Sequence, residues 1–154
     1  MTRYARTPAR RLLNTLETAR IRLGAGPSHR HLLTVIGSRS GRRRTTPVAV
    51  VTHGSERWLV APYGEVGWVR NVRAAGRIRL ERHRRREDWA ISEVDPAQAG
   101  PILREYVGLE PITRPFFAAA PEAPVATFAA EAARHPVFRL LTLRETDSEE
   151  AAVA

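Results

Sequence analysis

The first hydrophobic pattern along the chain is helical. Across residues 8–23, PARRLLNTLETARIRL, Leu12, Leu16, Ala19 and Leu23 recur at helical spacing, with Arg10, Arg11, Arg20 and Arg22 elsewhere on the wheel. Gly24, Gly26 and Pro27 end that pattern. Short apolar runs then take over. HLLTVIG (31–37), PVAVV (47–51) and RWLVAP (57–62) are rich in β-branched or aromatic residues and separated by turn residues. They predict a three-stranded antiparallel meander.

Residues 63–76 read as a loop entering a short helix, with Trp68, Val69 and Val72 on one side. RIRLERH (77–83) alternates Ile78 and Leu80 against Arg77, Arg79 and Glu81, the pattern of a half-buried strand. EDWAISEV (87–94) is its expected hairpin partner across Arg84–Arg86. Asp95 as N-cap and Pro96 at the first helical position predict a helix over 95–108. A Pro-rich loop, an Ala-rich helix at 127–134 and a last strand at 135–143 follow. Six short strands with turns too short for parallel crossovers predict an α+β fold, a small antiparallel barrel with peripheral helices. One domain is expected over 1–154: a basic amphipathic helical segment in 1–28, the barrel over 30–144 and a disordered acidic tail over 145–154.

Composition narrows the function classes. The chain has 154 residues, 43% hydrophobic, enough for a buried core. It has no cysteine, which removes disulfides and thiolate metal sites. No apolar run approaches the roughly 18 residues of a spanning helix, and the basic N-terminus lacks a signal-peptide core, so a cytoplasmic location is expected. The net charge is +9 and every one of the 25 basic residues is arginine, which implies attraction to polyanions without naming one.

Four of those arginines crowd into GSRSGRRRTTP, residues 37–47. Gly37 and Gly41 permit close backbone approach and positive φ, and exposed N–H groups in such a turn form an anion nest. Ser38, Ser40, Thr45 and Thr46 add hydroxyls, and Arg39 and Arg44 add charge-assisted donors. A solvated charged turn is the competing reading.

The ordered residues Gly37, Arg39, Ser40, Gly41, Arg44 and Pro47, followed after two strands by Trp68 and Asn71, resemble the deazaflavin-dependent nitroreductase and quinone reductase family. Its members are split β-barrels related to the flavin-binding pyridoxamine-phosphate-oxidase-like folds. The resemblance implies hydride transfer from reduced coenzyme F420 to a quinone, nitroaromatic or enone acceptor. It implies that Ser38, Arg39, Ser40 and Arg44 hold the phosphate and carboxylates of the coenzyme tail. Thr45, Thr46 and Pro47 would line the ribityl and ring region. Val60, Ala61, Pro62 and Tyr63 would flank the deazaflavin, with Trp68 and Asn71 closing over it. Tyr63 and Tyr106 are the candidate proton donors. FMN is the alternative cofactor, and a non-catalytic cofactor- or lipid-binding barrel the alternative function.

Other features carry less. His29, His31 and His53 match no metal-ligand spacing, so no metal site is expected. The 77–86 ribbon interleaves Glu81 and lacks an aromatic platform, so nucleic acid is not an expected partner. The leucine stripe of residues 8–23 is expected to pack on the barrel. The alternative is that it lies on an anionic membrane, giving a peripheral location at the inner face. A homodimer is a candidate assembly.

Overall fold

The computed structural model describes residues 7–143, so the predicted acidic tail over 145–154 lies outside the described residues, as do residues 1–6. The first helix, α1, runs Pro8–Arg22. Thr7 caps it by accepting the Arg10 N–H at 3.3 Å, and Pro8 occupies the first turn, where a missing N–H costs nothing. Two strands, β1 (Arg30–Ile36) and β2 (Arg43–His53), form the first hairpin, and β3 (Glu56–Val60) completes the meander. Helix α2 (Gly67–Ala75) follows. It ends at Gly76, whose φ of 68° lets its N–H return to the Val72 carbonyl at 2.8 Å.

The second hairpin is β4 (Arg77–Arg82) with β5 (Arg85–Glu93). Helix α3 (Pro96–Leu109) is capped as its sequence predicts, the Asp95 carboxylate accepting the Gln98 N–H at 2.9 Å. A 3-10 segment (Pro111–Phe116), the short helix α4 (Val125–Ala129) and β6 (Val137–Leu141) complete the described chain.

Every strand pair is antiparallel, and the ladder closes in the order β1-β2-β3-β6-β5-β4. The fold is therefore α+β, a closed six-stranded barrel with peripheral helices. Closure comes from β1 against β4, Leu33 facing Leu80, a pairing between strands far apart in sequence. The barrel interior holds Leu33, Val35, Val50, Leu59, Ile78, Leu80, Phe138 and Leu140, and α2 packs Val69 and Val72 into the same cluster. A second layer forms where α3, the 3-10 segment and α4 lay Ile102, Leu103, Tyr106, Val107, Phe116 and Phe128 over Val51, Trp58, Val60 and Val137.

Four boundaries differ from the sequence reading, each for a local reason. Strand β2 begins at Arg43 rather than residue 47, because Arg43 to Thr46 continue the ladder against Ile36 to Leu33. Thr45 and Thr34 also bond through their hydroxyls at 3.0 Å across that ladder. The arginine loop is thus a tight turn followed by strand. The β4–β5 connection is His83–Arg84, with His83 at φ 55°, instead of a loop across three arginines. Helix α4 spans 125–129 instead of 127–134, and β6 is shorter than 135–143 because Pro136 precedes its first paired residue.

The leucine stripe of α1 does not pack on the barrel, which corrects the expectation from periodicity. Leu12, Leu16 and Leu23 are 62%, 54% and 77% exposed, whereas Ile21 is fully buried. Arg10, Glu17, Thr18 and Ile21 form the inward side instead. Arg10 and Glu17 face a cavity rather than a core, so hydrophobicity alone points to the wrong face.

Replacing Phe138 by Ala is expected to cost about 3–5 kcal/mol, because the ring fills the barrel interior against Leu59 and Trp68. Replacing Leu16 by Ala should change stability by less than about 0.5 kcal/mol. Urea denaturation of both variants reads the difference, and equal losses would contradict the exposed placement of the α1 leucines.

Candidate functional site

The turn between β1 and β2 is built from backbone. The Gly37 N–H donates to the Arg42 carbonyl at 2.7 Å, and the Gly41 N–H donates to the Gly37 carbonyl at 2.9 Å. A Cβ on Gly37 would sit 2.7 Å from the Ser40 hydroxyl oxygen, and Gly41 holds φ 66°, so both positions require glycine. Ser40 accepts the Arg42 N–H at 3.2 Å. Asn71 on α2 reaches over and accepts both the Ser38 N–H at 2.9 Å and the Ser38 hydroxyl at 3.1 Å. Its side-chain oxygen therefore anchors the turn to α2, and only its amide nitrogen is left to face a ligand.

This turn borders a cavity of about 940 Å³. Ser38, Arg39, Ser40, Arg44, Thr45, Thr46 and Pro47 line it, together with Val60, Pro62, Tyr63, Trp68, Asn71 and Tyr106. Residues separated by more than sixty positions thus share one wall system. Ala61 does not join them. It is fully buried and belongs to the barrel-interior cluster, because alternation at the end of β3 turns Val60 toward the cavity and Ala61 away. Tyr63 packs edge-on against Phe116 at 4.7 Å between ring centres, with the Arg10 guanidinium 5.6 Å from its ring.

Other residues of this site escaped the sequence reading. Thr7, Arg10, Leu13, Asn14 and Glu17 bring α1 to the cavity, and Arg30, Glu110 and Thr113 form part of its lining from β1 and the end of α3. The signal for α1 was present in the i, i+4, i+7 polar series Arg10, Asn14, Glu17, which a search for apolar stripes passes over.

Charge is distributed unequally between the two groups. Arg30 bonds both oxygens of Glu110 at 2.9 and 3.0 Å and Glu17 at 3.0 Å, and His29 meets Glu110 at 2.7 Å. These bonds raise the Arg30 pKa above its usual value, the Glu110 contact contributing most. Burial pushes the Glu110 carboxyl up, but its bonds to Arg30 and His29 outweigh that and hold it below the usual range. Burial, reinforced by the Glu110 charge, drives the Tyr106 phenol far above its normal pKa, so it stays protonated and presents a hydroxyl donor.

By contrast, none of Arg39, Arg42, Arg43 and Arg44 is paired with a carboxylate among the described residues, while Arg57, Arg73, Arg79, Arg86 and Arg139 all are. Of the first four, Arg39 and Arg44 line the cavity beside the Ser40 hydroxyl and can hold an anionic ligand, whereas the Gly37, Ser38, Gly41 and Arg42 N–H groups are taken by bonds within the turn and to Asn71. The adjoining apolar and aromatic walls suit a flat ring. Among the described residues no cluster of three metal-ligating side chains occurs.

The model describing the F420H(2)-dependent quinone reductases matches residues 9–110 of the chain. No curated protein matches it. Among solved structures, the chain is similar to an F420-H2-dependent reductase at 18% identity and TM-score 0.52, covering 74% of this chain and 95% of that one. A structure described as a domain-swapped dimer matches at 17% identity and TM-score 0.54, covering 86% and 93%. A protein of unknown function from Agrobacterium tumefaciens matches at 15% identity and TM-score 0.53, covering 83% of this chain and 53% of that one. At these identities the structural matches speak to the barrel fold.

Removing one member of the Arg30–Glu110 pair should be costly, because Glu110 is only 5% exposed. Arg30→Met is expected to destabilise by about 3 kcal/mol, and Arg30→Met with Glu110→Leu to recover most of that loss. Thermal unfolding of the two variants tests it. A double variant less stable than the single one would show that the pair holds the site in a way apolar packing cannot replace.

Proposed function

We propose that this chain, which belongs to the F420H(2)-dependent quinone reductase family and is thus an F420-dependent oxidoreductase, binds its coenzyme tail at the β1–β2 turn and its ring in the cavity beyond. The observation that carries the assignment is that Arg39 and Arg44 line the cavity and have no carboxylate partner among the described residues. The coenzyme carries a phosphate and a polyglutamate tail, and the donor set fits such a group. Arg39 and Arg44, with the hydroxyl of Ser40, take the phosphate and the nearest carboxylates, while the Ser38 hydroxyl, expected among these donors, is spent on Asn71. Arg42 and Arg43 extend the same positive field outward.

When bound, the reduced deazaflavin supplies a hydride to the acceptor. The protein's work is placement. Val60, Pro62, Tyr63 and Trp68 offer flat walls for the ring, and the Asn71–Ser38 bonds hold the anion turn in register with those walls. The acceptor, a quinone or another small oxidant, enters the part of the cavity between α1 and the end of α3. There the protonated Tyr106 hydroxyl donates a hydrogen bond to the acceptor oxygen as negative charge develops on it. Tyr63 is a second donor of the same kind. The whole arrangement works within a single domain.

A second reading concerns where the acceptor comes from. Leu12, Leu13, Leu16 and Leu23 are all more than half exposed on α1, the helix that also walls the cavity. Arg11, Arg20 and Arg22 lie around them. No described helix is long and apolar enough to cross a membrane. We propose that α1 lies on an anionic bilayer surface with its leucines inserted, beside a lipid-dissolved quinone.

Fluorescence titration with oxidised coenzyme F420 should saturate, and Arg39→Ala or Arg44→Ala should each weaken binding by about 1.5–3 kcal/mol, the range for hydrogen bonds to charged groups. Arg84→Ala, at the opposite hairpin turn, should not. Unchanged affinity in both loop variants would remove the cradle, and tight binding without acceptor-dependent oxidation would favour a carrier over a reductase. FMN binding in place of the deazaflavin would change the cofactor.

In vesicle co-sedimentation, the parent chain should pellet with phosphatidylglycerol vesicles and not with phosphatidylcholine alone. The triple variant Leu12→Gln, Leu13→Gln, Leu16→Gln should stay in the supernatant. Equal pelleting of parent and variant would overturn the bilayer contact.

A further inference from the structure

We infer that His135, which does not line the cavity, is a positioning residue that holds the Pro62–Tyr63 wall through the Pro62 carbonyl. The inference rests on the reading above for what that wall does, and on the structure alone for the contact. His135 is 3% exposed, and its Nδ1 lies 2.9 Å from the Pro62 carbonyl oxygen. A carbonyl oxygen only accepts, so Nδ1 carries the proton and donates. The other ring nitrogen is buried without a hydrogen-bond partner, 3.6 Å from the nearer oxygen of Glu131. The neutral Nδ1–H form therefore dominates, in line with burial lowering the imidazole pKa below its usual value.

The ring cannot turn away from this bond. It stacks on Phe117 at 4.0 Å between centres, and Phe117 is flanked by Ala118. Ala118 and Ala119 donate their N–H groups to the Glu131 carboxylate at 2.8 and 2.7 Å, and Arg134 donates to the same carboxylate at 3.3 Å. Glu131 and Arg134 are the charged groups facing the imidazole. On the cavity side, Tyr63 leans edge-on against Phe116, the residue preceding Phe117. One carboxylate thus fixes the 116–119 segment, that segment clamps the imidazole, and the imidazole fixes the Pro62 carbonyl. Beside it, the Ala61 N–H donates to the Pro136 carbonyl at 2.9 Å, continuing the β3–β6 pairing of Val60 with Val137. A proline cannot donate, so its carbonyl is the one backbone handle by which Pro62 can be held.

Two substitutions separate the bond from the ring. His135→Phe keeps the stack on Phe117 and removes the donor. His135→Asn loses the stack but places an amide N–H near the position of Nδ1. Hydrogen exchange on the ligand-free chain should show the Ala61, Gly64 and Val66 amides exchanging faster in His135→Phe and near the parent rate in His135→Asn. With the coenzyme bound, single-turnover hydride transfer to a soluble quinone should slow about ten- to a hundredfold in His135→Phe, as expected for a misplaced reacting group, while Kd changes far less. His135→Asn should recover most of that rate. Equal slowing in both variants would make the stack, not the bond, the operative contact and overturn the inference. So would unchanged exchange and rate in His135→Phe. If the parent chain failed to bind the coenzyme while the exchange pattern held, the functional reading would fall and the bracing of Pro62 would stand.

Discussion

The ladder between β1 and β2 is the constraint on which the rest of this structure depends. It runs without interruption from Arg30 opposite Ala49 to Ile36 opposite Arg43. Because the side-chain period is two, this register sends Leu33 and Val35 into the barrel and fixes which face of β2 meets them. A slip of one residue would exchange the core and solvent faces of the strand that moved. The same register closes the turn at Gly37–Arg42 and sets Arg39 and Arg44 in the wall of the cavity. The core face of the first hairpin and the place of its turn beside the cavity are therefore two consequences of one pairing.

The second constraint is electrostatic. A chain with net charge +9 must keep its arginines solvated or neutralised. On the strands it neutralises them in cross-strand pairs, Arg79 with Asp88 and Arg86 with Glu81. At the β1–β2 turn it leaves four guanidinium groups solvated but without carboxylate partners among the described residues, on one short exposed segment beside a cavity. Self-repulsion there costs stability, which a bound polyanion would relieve. The cavity itself is divided in character, with unpaired cations at the turn and the compensated Arg30–Glu110 pair at the other wall. That division suits a ligand charged at one end and a small neutral acceptor at the other.

Helix α1 joins these themes. Its polar series and Leu13 line the cavity while Leu12 and Leu16 face outward, so one helix contributes both to the site and to the surface around its entrance. It is held to the barrel by Ile21, by the Glu17–Arg30 pair and by Arg82, whose guanidinium donates to the Gly24 and Gly26 carbonyls just beyond its end.

Local chemistry was legible in the sequence. The Asp95–Pro96 cap, the alternation of β4 and the glycines of the first turn are decided by residues within a few positions of one another. The two ordered motifs then brought twelve of the thirteen expected cofactor-lining residues to one cavity, Ala61 being the exception. What tertiary structure alone decided are relations between distant segments. These include the closure of β1 on β4, the face of α1 that turns inward, the Arg30–Glu110 pair across 80 positions and the His135–Pro62 bond across 73. Each depends on which polar group lies opposite once the barrel has closed, and a hydrophobic pattern carries no record of that. Periodicity reports how a segment avoids water; it does not report what a buried polar atom will bond.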